Sequence, residues 1–215
     1  MKKHLVRVGT LAIVVIVLLG IFLNTKMYKN MIVDNYTKSI MERLSISENE
    51  DIDIQIENIL KIHGYIVETF TYDNYHLQKI ATYGAENYYL YQLYYAFTTG
   101  EVSCTTEAII MQHLLSEINI DCEVLLLLGD KVNHAIPIVL IGEKYYGFDT
   151  GADRKLIQLI GECAYIAVGF GSDTIETTYV IEGILPEDMT QSGGFPPIPS
   201  NLSEEDLDLT KYLDQ

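Results

Sequence analysis

Apolar positions along the chain recur in patterns that predict several helices in its first third. A charge-free run over 8–23 predicts a helix just long enough to span a bilayer with its polar flanks. Apolar residues at helical spacing over 24–46 and 54–62 predict two further helices, the second ending near Gly64. Residues 65–72 are rich in β-branched and aromatic side chains, so helix and strand both stay open there.

The clearest helix is predicted over 104–118, with Ser103 as its N-cap. Its apolar side chains fall three or four residues apart and therefore share one face. They are Ala108, Met111, Leu115 and Ile118. The short apolar run over 123–128 predicts a buried strand after it.

A hairpin is predicted next, with strands over 135–141 and 144–149 joined by a two-residue turn. This register pairs Asp149 with Ile136. His134 then lies diagonal to Asp149 on the same face of the sheet, where long side chains can meet. A three-residue turn would break this alignment, because each one-residue slip reverses the faces.

The rest of the chain gives weaker patterns. Pro137 cannot donate to a strand ladder, so its nitrogen is expected at an edge or a bulge. One or two strands are predicted within 155–183, with 164–170 and 177–181 the best candidates. From Pro186 the composition shifts to Gly and Pro and then to acidic residues, which predicts a tail with at most one short helix.

Tyrosine is unusually dense over 83–97. Such a run either lines a groove for a sugar or peptide or packs its rings with the hydroxyls at the surface, and packing is favoured. The acidic run over 48–53 lacks the fixed glycine and terminal glutamate of a calcium loop, so a solvated stretch is expected there.

Charge is distributed unevenly along the 215 residues, which carry a net charge of -16. Five of the 14 basic residues and none of the 30 acidic residues lie within residues 1–29. The remainder of the chain therefore has nine basic and 30 acidic residues. Nucleic-acid binding requires a basic surface, so it is excluded. A hydrophobic fraction of 48% is sufficient for a core.

The apolar N-terminal run predicts an uncleaved signal anchor. Positive residues precede it, and the small-residue cleavage site of a secretory signal peptide is poor here. The basic N-terminal flank predicts that the N-terminus is cytoplasmic and the domain extracytoplasmic. Lys26 and Lys29, on the far side of the run, weaken this orientation.

The three cysteines are too few and too far apart for a disulfide framework or a zinc site. A bridge between Cys122 and Cys163 stays open, and no metal or cofactor is expected.

Cys104 begins the predicted helix, where the helix dipole and backbone N–H groups can stabilise a thiolate and an oxyanion. His113, on the same helix, lies more than two turns away and cannot serve as its base. His63 and His76 lack a motif context.

Two stretches carry the candidate residues in order: GEVSCTTEAIIMQHLLSEINIDCEVLL and NHAIPIVLIGEKYYGFDTGAD. Together they resemble the core of the transglutaminase-like superfamily, whose members have a cysteine starting a central helix, a strand opening with His-Ala, and a second strand ending in Asp. The resemblance covers roughly residues 100–152. It implies Cys104 as nucleophile, His134 as general base and acid, and Asp149 as the group that orients the histidine.

The same resemblance implies an α+β fold of the papain type, with the Cys-bearing helix packed on an antiparallel sheet. Where family members often have Gly, Trp and Pro, this chain has other residues, which bears on the substrate groove and leaves the catalytic groups intact. These are Val102, Ile136, Tyr145 and Thr150. Gln92 is a candidate oxyanion donor, by similarity to the glutamine upstream of the cysteine in papain-like enzymes.

The expected organisation has four parts: a signal anchor over 1–29, a helical part over 30–99, a catalytic core over 100–185 and an acidic tail over 186–215. The expected function is a membrane-anchored, extracytoplasmic cysteine hydrolase that cleaves amide or peptide bonds through a thioester. Its substrates would be peptides or proteins, with cell-wall peptides among the candidates, and its partner would be the membrane. The alternative is a catalytically silent binding or scaffold module of the same fold.

Overall fold

The computed structural model describes residues 15–20, 22, 25–73, 88–128, 133–160, 166–170 and 199–213. Helices and strands are mixed along these residues, as predicted. In chain order they are α1 (Lys26–Leu44), α2 (Ile52–Thr69), β1 (Thr71–Tyr72), α3 (Tyr88–Thr99), β2 (Glu101–Val102), α4 (Cys104–Ser116), β3 (Cys122–Leu128), β4 (Asn133–Ile141), β5 (Lys144–Gly147), α5 (Thr150–Ile160) and α6 (Thr210–Leu213).

Strands β3, β4 and β5 form an antiparallel sheet in that order, with β4 in the middle. The hairpin between β4 and β5 has the predicted register, since Ile141 pairs with Lys144 and Ile138 pairs with Gly147. Gly142 turns the chain with a φ of 64°, a conformation that glycine adopts without steric cost. The predicted two-residue turn is therefore confirmed.

Pro137 lies in the central strand, opposite Val124 of β3. Its carbonyl accepts a hydrogen bond from the Phe148 N–H at 3.0 Å, so its backbone faces the β5 side of the ladder. Because proline has no N–H to return that bond, the β5 ladder ends at Gly147. The strand is thus two residues shorter than predicted, and the chain is released just before Asp149.

Helix α4 is the centre of the core. It packs against β3 and β4 on one side and against α2, α3 and α5 on the others. This position explains why nearly every residue of the helix is buried and why the apolar stripe predicted for it is only part of its buried surface. The helix ends at Ser116, two residues earlier than predicted, so the stripe is confirmed for Ala108, Met111 and Leu115, while Ile118 is buried beyond the end of the helix.

Helix α2 runs through Gly64 to Thr69, so the predicted end near Gly64 is wrong. A glycine inside a helix costs only about 1 kcal/mol relative to alanine. Ile66 and Val67, beyond the glycine, are buried on the helix and offset that cost. Asp51 is the N-cap of the helix, since its carboxylate accepts from the Asp53 N–H at 2.8 Å, so part of the acidic run is a helix cap.

Residues 155–160 belong to helix α5, so the strands predicted from 155 onward do not begin there. The helix was missed because Asp149 was interpreted only as a strand end, although aspartate is also a favoured N-cap. In the predicted strand over 164–170, the described residues make one bridge, between Val168 and Gly147. The predicted strand over 177–181 lies outside the described residues.

Helix α1 confirms the helix predicted over 24–46. Its buried side is formed by Lys29, Val33, Thr37 and Ile40. Residues 15–20 are also helical. No helix of the described residues is both long and apolar enough to cross a membrane, and residues 1–14 lie outside that part of the chain.

The tyrosine-rich segment forms α3 over its described part, where Tyr88 and Tyr94 pack against the core and Tyr89 is 41% exposed. Lys29 of α1 places its ammonium 5.0 and 5.3 Å from the ring centroids of Tyr91 and Tyr94.

Near the C-terminus, Leu209 is buried. Lys211 of α6 pairs with Asp53 at 2.7 Å. Residues 199–213 therefore lie against the rest of the domain.

The central position of α4 predicts a graded response to truncation of apolar side chains. Ile110→Ala removes a fully buried side chain from α4 and should lower the free energy of unfolding by about 2–5 kcal/mol. The matched control is Ile52→Ala at the start of α2, where the side chain is 43% exposed and the loss should stay near about 0.5 kcal/mol. Denaturant unfolding of the full chain in mild detergent measures both, and equal losses would contradict this packing.

Candidate functional site

Cys104 is the first residue of α4, and the local sequence fixes that start. Ser103 has the extended backbone of an N-cap, with φ of -115° and ψ of 172°, and its Oγ accepts from the Thr106 N–H at 3.4 Å. The Cys104 side chain therefore lies at the positive end of the helix dipole. The residue is 9% exposed, so its sulfur is largely shielded from water.

His134 and Asp149 are brought together by the hairpin. His134 is the second residue of β4, and Asp149 follows β5 by two residues. His134 Nε2 lies 2.7 Å from Asp149 Oδ2, which is a short hydrogen bond between the two side chains. The diagonal contact that the register predicted is thus present.

Asp149 is held from two sides. Its Oδ2 accepts from His134, while its Oδ1 accepts from the Ala152 N–H at 2.9 Å and so caps helix α5. Both oxygens of the carboxylate are therefore committed, which fixes the direction of the bond to the histidine. The side chain is only 4% exposed, so water competes little for it.

The Cys104 thiol lies beside the His134 imidazole and the backbone N–H of Ala135. Since Nε2 of His134 is engaged by Asp149, Nδ1 is the ring nitrogen left to face the sulfur. The three side chains therefore form a chain of contacts in the order cysteine, histidine, aspartate. This order is the one required of a nucleophile, a base and an orienting group.

The pKa shifts follow from these contacts. Burial alone would raise the pKa of the Cys104 thiol, but the hydrogen bond and charge of His134 and the Ala135 N–H outweigh it and lower that pKa. Burial alone would lower the pKa of His134, but the Asp149 carboxylate and the hydrogen bonds to Asp149 and Cys104 raise it well above its ordinary value. Both shifts favour a thiolate beside an imidazolium.

Tyr72 is a neighbour of the thiol that the sequence did not predict. Tyr72 is 44% exposed, yet its hydroxyl lies beside the Cys104 thiol and the Cys104 backbone N–H. Partial burial and the nearby thiol raise the pKa of Tyr72, so its hydroxyl stays protonated. Tyr72 reaches this place because it pairs in parallel with Val102, just before the helix.

Gln92 lies behind α4. It is fully buried, and its Oε1 accepts a hydrogen bond from the Thr106 hydroxyl. Its side chain also contacts the Tyr88 hydroxyl. These contacts attach α3 to the first turn of α4, and the role of Gln92 as an oxyanion donor stays a prediction.

The other histidines of the described chain lie outside the triad. His113 Nε2 contacts the Thr37 hydroxyl at 2.9 Å, and burial lowers the pKa of this histidine. His63 is buried against Asp153 at 2.8 Å. His76 lies outside the described residues.

Histidine, cysteine and carboxylate side chains could also form a metal site or, for the cysteines, a disulfide. Among the described residues, no group of three His, Cys, Asp or Glu side chains could hold a metal ion. Cys122 is free and buried, and its pKa is raised well above its ordinary value by burial. Cys163, the other cysteine of the bridge considered from the sequence, lies outside the described residues.

Comparisons with known proteins gave only partial structural likenesses. No family model matches the chain, and no curated protein matches it. One similar solved structure is a transglutaminase, at 18% identity and a TM-score of 0.40, with 59% of this chain and 33% of that chain covered. Another is a Cytophaga hutchinsonii protein proposed to be a cysteine protease, at 17% identity and a TM-score of 0.40, with 62% and 42% covered.

The chain thus spans about a third and about two fifths of the lengths of these two structures. The predicted arrangement, a Cys-bearing helix on an antiparallel sheet, is present in this chain by its own topology. The transglutaminase-like resemblance is therefore carried by the order of the elements and the residues at their ends.

The raised pKa of His134 predicts a pH-dependent contribution to stability. The unfolded-state pKa is about 6.5, so the stabilisation of the protonated ring is fully present below that pH and is lost as pH rises through the folded-state pKa. Asp149→Asn removes the carboxylate that raises this pKa, and its cost should be about 1–3 kcal/mol near pH 6 and smaller at alkaline pH. Denaturant unfolding of both proteins at the two pH values measures it, and a cost independent of pH would refute this assignment.

Proposed function

We propose that this protein is a cysteine hydrolase of the transglutaminase-like type, acting on amide or peptide bonds. The single observation that supports it most is the contact chain from Cys104 through His134 to Asp149, closed by a 2.7 Å hydrogen bond. An isolated buried cysteine would be a small hydrophobe. A buried cysteine at a helix N-terminus, with an imidazole oriented by a carboxylate, is the environment of an activated nucleophile.

The proposed reaction begins with proton transfer from the Cys104 thiol to His134 Nδ1. The thiolate attacks the carbonyl carbon of the amide, and the carbonyl oxygen becomes an oxyanion near the Cys104 N–H. His134 then gives its proton to the departing amine or ammonia, which leaves a thioester on the sulfur. Water, activated by His134, hydrolyses the thioester to a carboxylic acid, or an amine takes its place in a transamidation.

Two groups beside the sulfur suit the oxyanion step. The backbone N–H of Cys104 has no acceptor within α4, because it lies at the start of the helix, and it faces the Tyr72 hydroxyl. The protonated hydroxyl of Tyr72 stands at the same N–H, so a carbonyl oxygen placed there would meet a second donor. Removing one such donor in other acyl-transfer enzymes costs on the order of a hundredfold in rate or more.

The proposed substrates are peptides or proteins, with cell-wall peptides among the candidates, and the proposed site of action is outside the membrane. The apolar run over 8–23 supports the anchor, and the basic residues before it support the orientation. Lys29, on the far side of that run, is 4% exposed, and its ammonium lies over Tyr91 and Tyr94 of α3.

The same fold without activity, used as a binding or scaffold module, is the second candidate. The observation that favours it is the low exposure of Cys104, at 9%. A thiol that no reagent reaches would serve such a module as well as an activated one. Reactivity of the thiol therefore separates the two functions.

The test is alkylation of the full chain in mild detergent across a pH series, with each cysteine followed by peptide mapping. Cys104 should react well below the ordinary thiol pKa of about 8.5, and His134→Ala should abolish that early reaction. Cys122 is the internal control, because burial raises its pKa and should leave it unreactive in the folded protein. Labelling of Cys104 no faster than an ordinary thiol would move the assignment to the binding module.

A further inference from the structure

The first turn of α5 carries an unusual set of buried polar side chains. Asp149, Thr150, Asp153 and Arg154 are 3%, 2%, 0% and 9% exposed. Buried polar groups are costly unless they are bonded, so each of these needs a partner. Only Asp149 has a part in the proposed reaction, and the other three attach the helix to its neighbours.

One of these attachments leads to the nucleophile's own helix. Glu107 of α4 lies three residues after Cys104, and its carboxylate is 1% exposed. Its Oε2 accepts from the Thr150 hydroxyl at 2.9 Å, and its Oε1 pairs with Nη1 of Arg154. The helix that starts at Cys104 and the helix that starts beside Asp149 are therefore joined by one carboxylate.

Arg154 extends the connection to a third helix. Its Nε donates to the Val67 carbonyl at 3.1 Å, and its Nη2 donates to the Ile66 carbonyl at 2.9 Å. Both carbonyls belong to the last turn of α2, and that of Ile66 also accepts from the Phe70 N–H at 3.4 Å. The planar fork of arginine allows all these bonds at once, which lysine cannot reproduce.

Gly151 marks the place where these groups converge on the triad. A Cβ at that position would lie 3.3 Å from Glu107 Oε2, 3.5 Å from Asp149 Oδ1 and 4.0 Å from His134 Cε1. The Glu107 carboxylate and the Asp149–His134 pair thus border the same backbone atom. A displacement of Glu107 or of the start of α5 would therefore directly change the position of the His134 ring.

We propose that Glu107 and Arg154 are positioning residues for the triad: their buried pair holds the start of α5 so that Asp149 presents Oδ2 to His134. This inference rests on the proposed cysteine-hydrolase function. Breaking a buried ion pair leaves a charge without compensation, while replacing one by apolar residues is often neutral for stability. A role in alignment gives a reason for such a pair beside this site.

The electrostatic surroundings of Glu107 agree with that role. Arg154 and Thr150 face it from α5, Asp149 from the start of that helix, Tyr72 from β1, and Cys104 from its own helix. Burial raises the pKa of Glu107, and Arg154 and Thr150 oppose that rise. The pKa of Glu107 still lies above its ordinary value, and Arg154 is the main group that opposes protonation of this carboxylate.

The test compares two carboxylate-to-amide changes in the same region of the full chain, held in mild detergent. Glu107→Gln removes the charge that holds Arg154 and Thr150. Asp153→Asn is the matched control, because Asp153 is equally buried and bonds His63 on α2 at 2.8 Å. Both changes are expected to lower stability, so stability alone cannot separate positioning from support.

Two measurements distinguish a positioning role from a purely structural one. The first is the pH profile of Cys104 alkylation: Glu107→Gln should slow labelling at neutral pH by roughly tenfold to a hundredfold and shift the profile toward that of an ordinary thiol. Asp153→Asn should keep the wild-type profile. The second is the ring N–H resonance of His134 in ¹⁵N-edited spectra, which reports the bond to Asp149 and should be lost or shifted only in Glu107→Gln.

Arg154→Lys provides a second variant, which keeps the charge and loses the fork. It should reproduce the Glu107→Gln changes in part, and it is decisive if Glu107→Gln does not fold. Overlapping profiles and resonances in wild type, Glu107→Gln and Arg154→Lys would overturn the inference. If wild-type Cys104 itself reacts as an ordinary thiol, the proposed function fails, while the His134 resonance still decides the positioning role.

Discussion

The hydrogen bond between His134 Nε2 and Asp149 Oδ2 is the constraint on which the geometry of the site depends. It joins the central strand of the sheet to the start of α5. Its length requires the hairpin register between β4 and β5, because a one-residue slip would turn one partner to the other face. It also requires the ladder to end before Asp149, and the missing N–H of Pro137 supplies that end.

The rest of the structure holds these two residues against Cys104. The cap at Ser103 fixes where α4 begins, and the burial of α4 among the sheet and three helices fixes where that start lies. The Glu107–Arg154 pair joins α4, α5 and the end of α2 behind the triad. The thiol is thus placed by packing from one side and by the histidine from the other, which is the preorganisation that catalysis requires.

The features that could be predicted from the sequence are those set by local chemistry. The cap at Ser103, the Gly142 turn and the apolar stripe of α4 depend on residues within a few positions of one another. The hairpin register follows from the turn length alone, and it brings His134 and Asp149 to the same face of the sheet. The resemblance of the residue order to the transglutaminase-like superfamily implied the roles expected of His134 and Asp149.

The features that were missed depend on contacts between distant segments. Helix α2 continues past Gly64 because tertiary burial outweighs glycine's helix propensity. Tyr72 meets Cys104 through a parallel pairing of two two-residue strands, for which the sequence carries no pattern. The α5 start was hidden because one residue, Asp149, both follows a strand and caps a helix.

The most direct measurement of the central claim is acyl transfer to the thiol itself. The full chain is exposed to an activated ester at neutral pH, and intact-mass analysis with peptide mapping locates any acyl group. The account predicts rapid acylation of Cys104 followed by loss of the group to water, with acylation strongly slowed in Asp149→Asn. Absence of acylation at Cys104, or equal acylation with and without the Asp149 carboxylate, would contradict it.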